Sequence, residues 1–325
     1  MSREPSPLPP LTVSWDSEGE IADVVRLPFF EANVYFVGAP GQPWAIVDTA
    51  TEGRFAAIRD AAEARYGKES RPEAIYLTHG HPDHVGSALA LATYWDVPVF
   101  VHRMELPYVT GKADYPPPDP TVGGAFSIVA RFFTLERTDL GAFVRPLPPG
   151  ALPGMAGWQA VETPGHSPGH VSFFREADRA LLAGDACATV DMDLWDALVL
   201  KKPGLARPPS PFTPDWVNAR KSLKRLAALR PTVLACGHGE PLSFPELPDA
   251  LQGFAEQFII PLKGRYVSDP AQFDENGVTY LPPQPRAGFP LKAVALSAAA
   301  LIVLGIYWNL RNRSEQTNRR AGKSD

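Results

Sequence analysis

Residues 78–84 read Thr-His-Gly-His-Pro-Asp-His, and this stretch decides how the rest of the chain is interpreted. It follows a short apolar run at 74–77 and precedes a helical pattern at 84–95, so the sequence predicts a turn between a strand and a helix. The turn carries four possible metal donors, which are His79, His81, Asp83 and His84. Imidazole and carboxylate are the usual donors for Zn²⁺ and similar ions. Four titratable groups this close would repel or lose hydration unless a cation held them, so the stretch predicts a metal site.

Three later fragments each place one more donor just past an apolar strand. Residues 163–170 (Thr-Pro-Gly-His-Ser-Pro-Gly-His) present His166, residues 182–185 (Leu-Ala-Gly-Asp) end in Asp185, and residues 236–239 (Cys-Gly-His-Gly) present His238. Each fragment alone is a weak signal, because a carboxylate at a strand end is often only a helix cap or a turn residue. Their joint occurrence with the first stretch predicts that loops at one sheet edge bring the donors together.

The order of these donors resembles the metallo-β-lactamase-fold hydrolases, especially the branch that contains glyoxalase II and the lactonases. The resemblance covers about residues 20–245 and includes the earlier Ile-Val-Asp-Thr at 46–49. It implies an α/β fold, an αββα sandwich with a two-metal site at one edge. It also implies the ligands: His79, His81 and His166 for the first metal, Asp83, His84 and His238 for the second, Asp185 as the bridge, and Asp48 as a support that is not a ligand.

The same resemblance implies a hydrolytic mechanism with two divalent ions, most readily Zn²⁺, with Mn or Fe as alternatives. Two such ions lower the pKa of a shared water, and the resulting metal-bound hydroxide attacks a carbonyl carbon. Asp83 and His84 are then the expected catalytic residues, and Asp83 or a bound water moves the proton. The expected substrate is a small acyl compound with an ester-like bond, such as a thioester or a lactone.

Other functions remain open at this point. Some relatives use a single iron for persulfide oxidation with a subset of these ligands, and metal content would separate them from a hydrolase. A β-lactamase fits less well, because Asp83 and Asp185 match the glyoxalase II and lactonase pattern better than that of the zinc β-lactamases with a cysteine ligand. A non-catalytic, membrane-tethered member of the fold is a further alternative. The net charge of −5 and the lack of a basic patch predict no nucleic-acid partner.

Several nearby residues have two interpretations each. His170 either lines the pocket or hydrogen-bonds a ligand from behind, or it is a plain loop histidine. Cys187 and Cys236 are expected to be small buried side chains, although thiolates can in principle bind metals. Lys201 and Lys202 either meet an anionic substrate or form a solvated basic pair.

The 325 residues, 45% of them hydrophobic and 21% charged, indicate a folded globular chain. The predicted organisation is a flexible N-terminus at 1–10, a catalytic domain at 11–275, a Pro-rich linker at 276–292, a hydrophobic helix at 293–310 and a basic tail at 311–325. A proline-rich insertion at 112–156 interrupts the catalytic domain and is either a lid over the site or a surface subdomain. No oligomeric state is predicted.

The hydrophobic helix predicts association with a membrane. Residues 293–310 carry no charge, and at about 1.5 Å per residue they reach roughly 27 Å, near the thickness of a bilayer core. A buried core helix or a helix on the membrane surface is the alternative. Residues 1–20 show no apolar leader, which favours a cytoplasmic catalytic domain with a C-terminal single-pass anchor. The arginine-rich tail favours the opposite orientation by the positive-inside rule, so the orientation stays open.

Overall fold

Two β-sheets pack face to face. Successive side chains of a strand point to opposite faces of its sheet, and the strands here carry apolar residues on both faces, so each sheet is covered on both sides. The structure is a computed structural model that describes residues 23–130, 132, 133, 135, 137–194 and 202–284. The described residues as far as Pro283 belong to one unit. The donors lie at one edge of this sandwich.

The larger sheet has six strands in sequential order. They are β1 (Val24–Pro28), β2 (Asn33–Val37), β3 (Ala45–Val47), β4 (Ala74–Tyr76), β5 (Val99–Val101) and β6 (Val144–Pro146). The first three pair antiparallel, and β3 to β6 pair parallel. The parallel half points the carboxyl ends of its strands toward the same edge, where loops carry polar residues.

The smaller sheet has four strands in the order β12-β9-β8-β7. They are β7 (Trp158–Glu162), β8 (Val171–Arg175), β9 (Ala180–Gly184) and β12 (Val233–Cys236). β12 and β9 are parallel, and the other pairs are antiparallel. Two strand pairs lie outside these sheets: β10 (Ala188–Val190) with β11 (Pro203–Ala206), and β13 (Gln272–Asp274) with β14 (Gly277–Tyr280).

Helices cover the outer face of each sheet. The described helices are α1 (Phe55–Tyr66), α2 (Pro82–Val85), α3 (Ala88–Trp95), α4 (Leu106–Val109), α5 (Ala125–Ala130), α6 (Trp216–Ala228) and α7 (Leu247–Glu256). Side chains of α1 and α3 share one apolar core with the larger sheet, and α6 and α7 share another with the smaller sheet. A third core lies between the sheets, where the rings of Tyr76 and Phe173 are 5.6 Å apart. These three cores lie between helices and sheet, between the two sheets, and between sheet and helices, which confirms the predicted αββα sandwich.

The helix predicted at 84–95 is divided in two. α2 ends at Val85 and α3 begins at Ala88. A Cβ on Gly86 would lie 2.2 Å from the backbone nitrogen of Glu52, and the Ser87 hydroxyl donates to the Thr51 carbonyl at 2.7 Å. The loop after β3 therefore packs against the break, which a helical pattern read alone does not reveal.

The ends of the predicted insertion are part of the fold. Within 112–156, β6 pairs with β5, and Leu152 and Met155 belong to the core between the sheets. The two ends of the segment 112–156 are therefore part of the catalytic domain and not of a separate surface subdomain. Past the predicted domain end at 275, residues 277–280 form β14 rather than linker.

Several predictions fall on residues outside the described ranges. These are the flexible N-terminus at 1–10, most of the linker, the hydrophobic helix at 293–310 and the tail at 311–325. In the part of the chain that the structure describes, none of the helices combines the length and apolar character needed to cross a bilayer. The membrane anchor stays a prediction.

Candidate metal centre

Each predicted donor sits directly after a strand or at a helix start. β4 ends at Tyr76, and the chain then presents His79 and His81 before α2, whose first turn holds Asp83 and His84. His166 lies in the loop between β7 and β8, Asp185 follows β9, and His238 follows β12. Pro82 fixes the first position of α2, where a missing N–H costs nothing. The two sheets thus deliver their donors to a common edge.

The seven donors form overlapping groups of three. Within each group, the ligand atoms lie within 4.8 Å of one another. The groups are His79, His81 and His166; His79, His84 and Asp185; and Asp83, His84 and His238. All seven were predicted from the sequence. Such groups of imidazoles and carboxylates could hold metal ions.

Asp185 lies between the first and the third group. Its Oδ2 is 3.0 Å from Nε2 of His238 and 3.4 Å from Nε2 of His166. Its Oδ1 is 3.6 Å from Nε2 of His84. One carboxylate therefore faces donors of both groups, as a bridging ligand must.

The histidine rings are anchored through the nitrogens that face away from the centre. Nδ1 of His79 lies 3.0 Å from the Thr78 hydroxyl, which itself donates to a carboxylate. Nδ1 of His166 lies 3.4 Å from the Thr213 hydroxyl, which donates to the Pro209 carbonyl. Each hydroxyl donates its proton to another oxygen, so it accepts a hydrogen bond from the ring Nδ1–H. Nε2 is then unprotonated, and its lone pair can bind a metal.

Asp48 anchors the third ring. Its Oδ2 is 2.8 Å from Nδ1 of His84, and its Oδ1 accepts the Thr78 backbone N–H at 2.8 Å. The residue is buried and has φ of +59°, a left-handed conformation that Asp tolerates better than most residues. Asp48 thus supports the centre from behind and lies in none of the donor groups.

Three buried polar atoms at the centre of the cluster have no hydrogen-bond partner among the described residues: Nε2 of His79, Nε2 of His84 and Oδ1 of Asp185. A buried polar atom without a partner costs about 1–3 kcal/mol. Three of them pointing at one another are the pattern expected of ligands aimed at a cation. The residues therefore fit a metal centre.

The charges in the cluster divide its histidines into two kinds. Burial lowers the pKa of His79 and His166 well below the usual range, and it lowers the pKa of His81 to about 4. Burial acts in the same direction on His84 and His238, but the Asp185 carboxylate and its neighbours outweigh it and raise both pKa values. The carboxylate side of the cluster attracts positive charge.

His170 contacts the backbone beneath Asp185. Its Nε2 accepts the Asp185 N–H at 2.8 Å, so its Nδ1 carries the proton and donates to the Thr163 hydroxyl at 2.8 Å. Burial lowers its pKa to about 3, which keeps the ring neutral. The imidazole thus contacts the backbone of a donor residue, is not among the lining residues of the cavity and lies in none of the donor groups.

Gly237 makes room for the Asp185 carboxylate. A Cβ at this position would lie 2.1 Å from Oδ1 of Asp185 and 2.6 Å from Cε1 of His84. Any larger residue would displace one of these two side chains.

Sequence reasoning missed Glu105, which joins two donor loops. This fully buried carboxylate accepts the Gly80 N–H at 3.1 Å from the first loop. From the loop of His166 it accepts the Ser167 hydroxyl at 2.7 Å and the Gly169 N–H at 2.6 Å, and the Tyr115 hydroxyl also donates to it. The only sequence signal is one acidic residue within the apolar stretch 104–109.

A cavity of about 370 Å³ lies over the centre and includes Asp83, His81 and His238 in its lining. Most of its other lining residues are apolar, with five phenylalanines: Phe29, Phe30, Phe126, Phe133 and Phe212. The centre therefore opens into a chamber large enough for a small organic substrate.

The two cysteines are buried and form no disulfide, and their Sγ atoms lie 3.7 Å apart, within hydrogen-bond distance. They lie in none of the donor groups, in agreement with the prediction of small buried side chains. Lys201 lies outside the described residues, and Lys202 is not among the lining residues of the cavity.

Known proteins resemble this chain over the region that carries the centre. Residues 27–238 match the family model of the metallo-β-lactamase superfamily. The probable metallo-hydrolase YflN of Bacillus subtilis is 40% identical, over 65% of this chain and 82% of that protein. The hydroxyacylglutathione hydrolase of Acidiphilium cryptum is 30% identical, over 68% of this chain and 70% of that protein.

Solved structures agree at the level of the fold. The metallo-β-lactamase SMB-1, bound to 2-mercaptoethanesulfonate, superposes with a TM-score of 0.50 at 16% identity, covering 72% of this chain and 91% of that one. The family model matches most of the described chain. Membership of this family accounts for both the sandwich and the donor cluster. The chain is a metal-dependent hydrolase that belongs to the metallo-β-lactamase superfamily.

Proposed function

We propose that this chain hydrolyses an ester-like bond of a small acyl compound, a thioester, a lactone or a related ester, with two divalent metal ions. The observation that carries the proposal is the arrangement of two complete three-residue donor groups on either side of Asp185. A single-iron centre needs only a subset of these donors. The presence of Asp83, His84 and His238 as a second group therefore supports the hydrolase over the persulfide dioxygenase.

The first group would hold one ion through His79, His81 and His166, and the second group would hold the other. Ions bound there supply a Lewis acid for a carbonyl oxygen and lower the pKa of a water toward neutrality. In the net reaction the acyl C–O or C–S bond breaks, the carbonyl carbon gains OH, and the leaving atom gains H. The chain needs no serine or cysteine nucleophile for this.

Asp83 is the residue best placed to move the proton. Its carboxylate is about a third exposed to the cavity, and its Oδ2 lies 3.5 Å from Nε2 of His238 and 3.8 Å from Nε2 of His84. Oδ2 faces these nitrogens and would be the metal-binding oxygen, so Oδ1 can hold a proton and release it to the leaving group. His84 keeps Nε2 directed into the centre because Asp48 holds its Nδ1, so it acts as a ligand that orients the reacting groups.

The ester-like substrate is supported by two further facts. One relative is named as a hydrolase of hydroxyacylglutathione, which is an acyl compound. The cavity over the centre also has room for an acyl group beside the donors.

The test is metal analysis of the full-length protein together with a panel of thioesters, lactones and esters. We expect about two ions per chain, with Zn²⁺ as the metal and Mn or Fe as alternatives, and hydrolysis that a chelator abolishes. His238→Ala should lose one ion and more activity than the roughly tenfold to hundredfold typical of outer-shell changes. His102→Asn is the matched control, because His102 lies outside the donor groups and Asn can still cap its turn.

Two results would contradict the proposal. One iron per chain with oxygen uptake on persulfides would identify a dioxygenase. An unchanged metal content in His238→Ala would remove the second group from the centre.

A further inference from the structure

We propose that the cavity selects an uncharged substrate whose acyl group is apolar, and that an aromatic wall of Phe126, Phe133 and Phe212 holds this group. The inference rests on the proposed hydrolysis of an ester-like bond and specifies its substrate class. It is carried by the lining of the cavity and by the pairing of its charged residues.

The aromatic wall begins at the centre and extends outward. The ring of Phe212 lies 6.3 Å from that of His81, one of the donors. Phe126 lies 5.4 Å from Phe212, and Phe133 lies 6.0 Å from Phe126 and 6.2 Å from Phe212. An acyl group whose carbonyl reaches the donors therefore runs along three mutually packed rings.

The wall is held in place by one carboxylate-bearing residue. The Asp193 carbonyl accepts the Ala125 N–H at 2.8 Å, at the start of the helix that carries Phe126. Its Oδ2 accepts the Ser210 hydroxyl at 2.6 Å, in the turn that carries Phe212. The helix from the predicted insertion and the turn before α6 are thus joined, so the rings are preorganised for a ligand.

The mouth of the chamber exposes apolar surface. Phe30 is 61% exposed and Phe133 is 51% exposed, and both line the cavity. Large aromatic side chains left in water around a pocket mark a binding surface for apolar groups. Single exposed phenylalanines would be unremarkable, but these two line the same cavity.

Charged residues in the lining are already paired. Arg26 is the one Arg or Lys among the described lining residues, and it is 5% exposed. It donates to the Gly239 carbonyl at 3.1 Å and pairs with the Glu240 carboxylate. A substrate that carried a carboxylate on its acyl group would therefore lose hydration along the wall without gaining an unpaired guanidinium or ammonium group from the described lining residues.

The acidic residues of the lining add to this selection. Glu31 and Glu240 both line the cavity, and each is paired with an arginine. Away from the metal centre, these pairs balance the charge of each arginine with that of a carboxylate. A neutral acyl chain avoids both the desolvation cost and the repulsion from these carboxylates.

The test compares kcat/KM of the metal-loaded full-length protein for p-nitrophenyl acetate, butyrate and octanoate, and for the mono-p-nitrophenyl ester of suberic acid. The suberate ester matches octanoate in length but ends in a carboxylate. We expect about a fourfold gain per added methylene until the chamber is filled. The suberate ester should be at least about tenfold poorer than octanoate, because its carboxylate loses hydration.

Variants of the wall should change this selectivity. Phe126→Ala and Phe212→Ala should each lower the octanoate-to-acetate ratio by about tenfold, since each removes a large part of the buried apolar contact. Phe244→Ala is the matched control, because Phe244 is 40% exposed and lies outside the lining. Its ratio should equal that of the unaltered protein.

Binding of an unreactive ligand separates this inference from the proposed function. We expect n-octanol, but not ethanol, to bind by calorimetry, and Phe212→Ala to weaken that binding about tenfold. Metal-dependent hydrolysis with a flat chain-length profile, or with suberate preferred, would overturn the apolar class and leave the hydrolase standing. If the protein hydrolyses none of the esters but still binds octanol and not ethanol, the hydrolase is overturned and the apolar chamber is supported. If it binds both alcohols equally, the apolar chamber is overturned.

Discussion

Single residues outside the donor set decide whether the ring nitrogens can act as ligands. Thr78, Thr213 and Asp48 each contact the nitrogen that faces away from the centre. This fixes the proton on that nitrogen and leaves Nε2 for a metal. Of these three, only Asp48 was predicted, through the family resemblance of residues 46–49. Thr213 lies 47 positions from His166, and no local pattern connects them.

Asp48→Asn tests this fixing of the tautomer. Asn also tolerates a left-handed backbone, so the loop shape should survive. The Asn oxygen can still accept from Thr78, and the amide then faces Nδ1 of His84 as a donor. The ring must move its proton to Nε2 or turn away, and we expect the affinity of the second metal to fall about tenfold to a hundredfold, measured by chelator competition.

Asp96→Asn is the control for this change. Asp96 also has a left-handed φ, of +53°, but it caps α3 away from the donors. It should keep both metal affinities. Equal affinity in Asp48→Asn and the unaltered protein would show that the carboxylate does not orient His84.

At the scale of elements, the centre depends on loops that only the folded chain brings together. The sequence predicted a strand at 74–77, within one residue of β4, because a short apolar run is a local signal. It did not predict the break at Gly86 or the contact between the loops of His81 and His166. Glu105, which makes that contact, lies 64 positions from Gly169, and no local pattern connects them.

Glu105→Gln tests whether this contact sustains the centre. The carboxylate accepts hydrogen bonds on both oxygens, and an amide nitrogen in place of one oxygen would oppose two donors. We expect the free energy of unfolding to fall by about 1–3 kcal/mol in urea. The affinity of the first metal should also fall, by about tenfold, because the loops of His81 and His166 separate.

Glu73→Gln provides the comparison, since Glu73 is an exposed residue just before β4. It should alter neither quantity. A Glu105→Gln protein that is destabilised but binds both metals normally would restrict Glu105 to a structural role.

At the scale of the whole molecule, metal ions would connect the two sheets. His79 and His81 follow β4 of the larger sheet, whereas Asp185 and His238 follow β9 and β12 of the smaller one. The unfolded chain does not present these donors together. Binding therefore stabilises the native state, by about 2.7 kcal/mol when the free metal is about a hundred times its Kd.

Removal of metal should consequently lower the melting temperature of the entire sandwich. A change of 1 kcal/mol corresponds to about 2–4 °C for domains of some 150–250 residues, so we expect chelation to lower Tm by roughly 5–10 °C. Adding Zn²⁺ back should restore it, whereas Ca²⁺, which prefers an all-oxygen site, should not. His238→Ala should show a smaller drop on chelation, because it retains only the first group. If two ions are bound and chelation leaves Tm unchanged, the donors of the two sheets are not joined through them, and the bridging position of Asp185 would have to be abandoned.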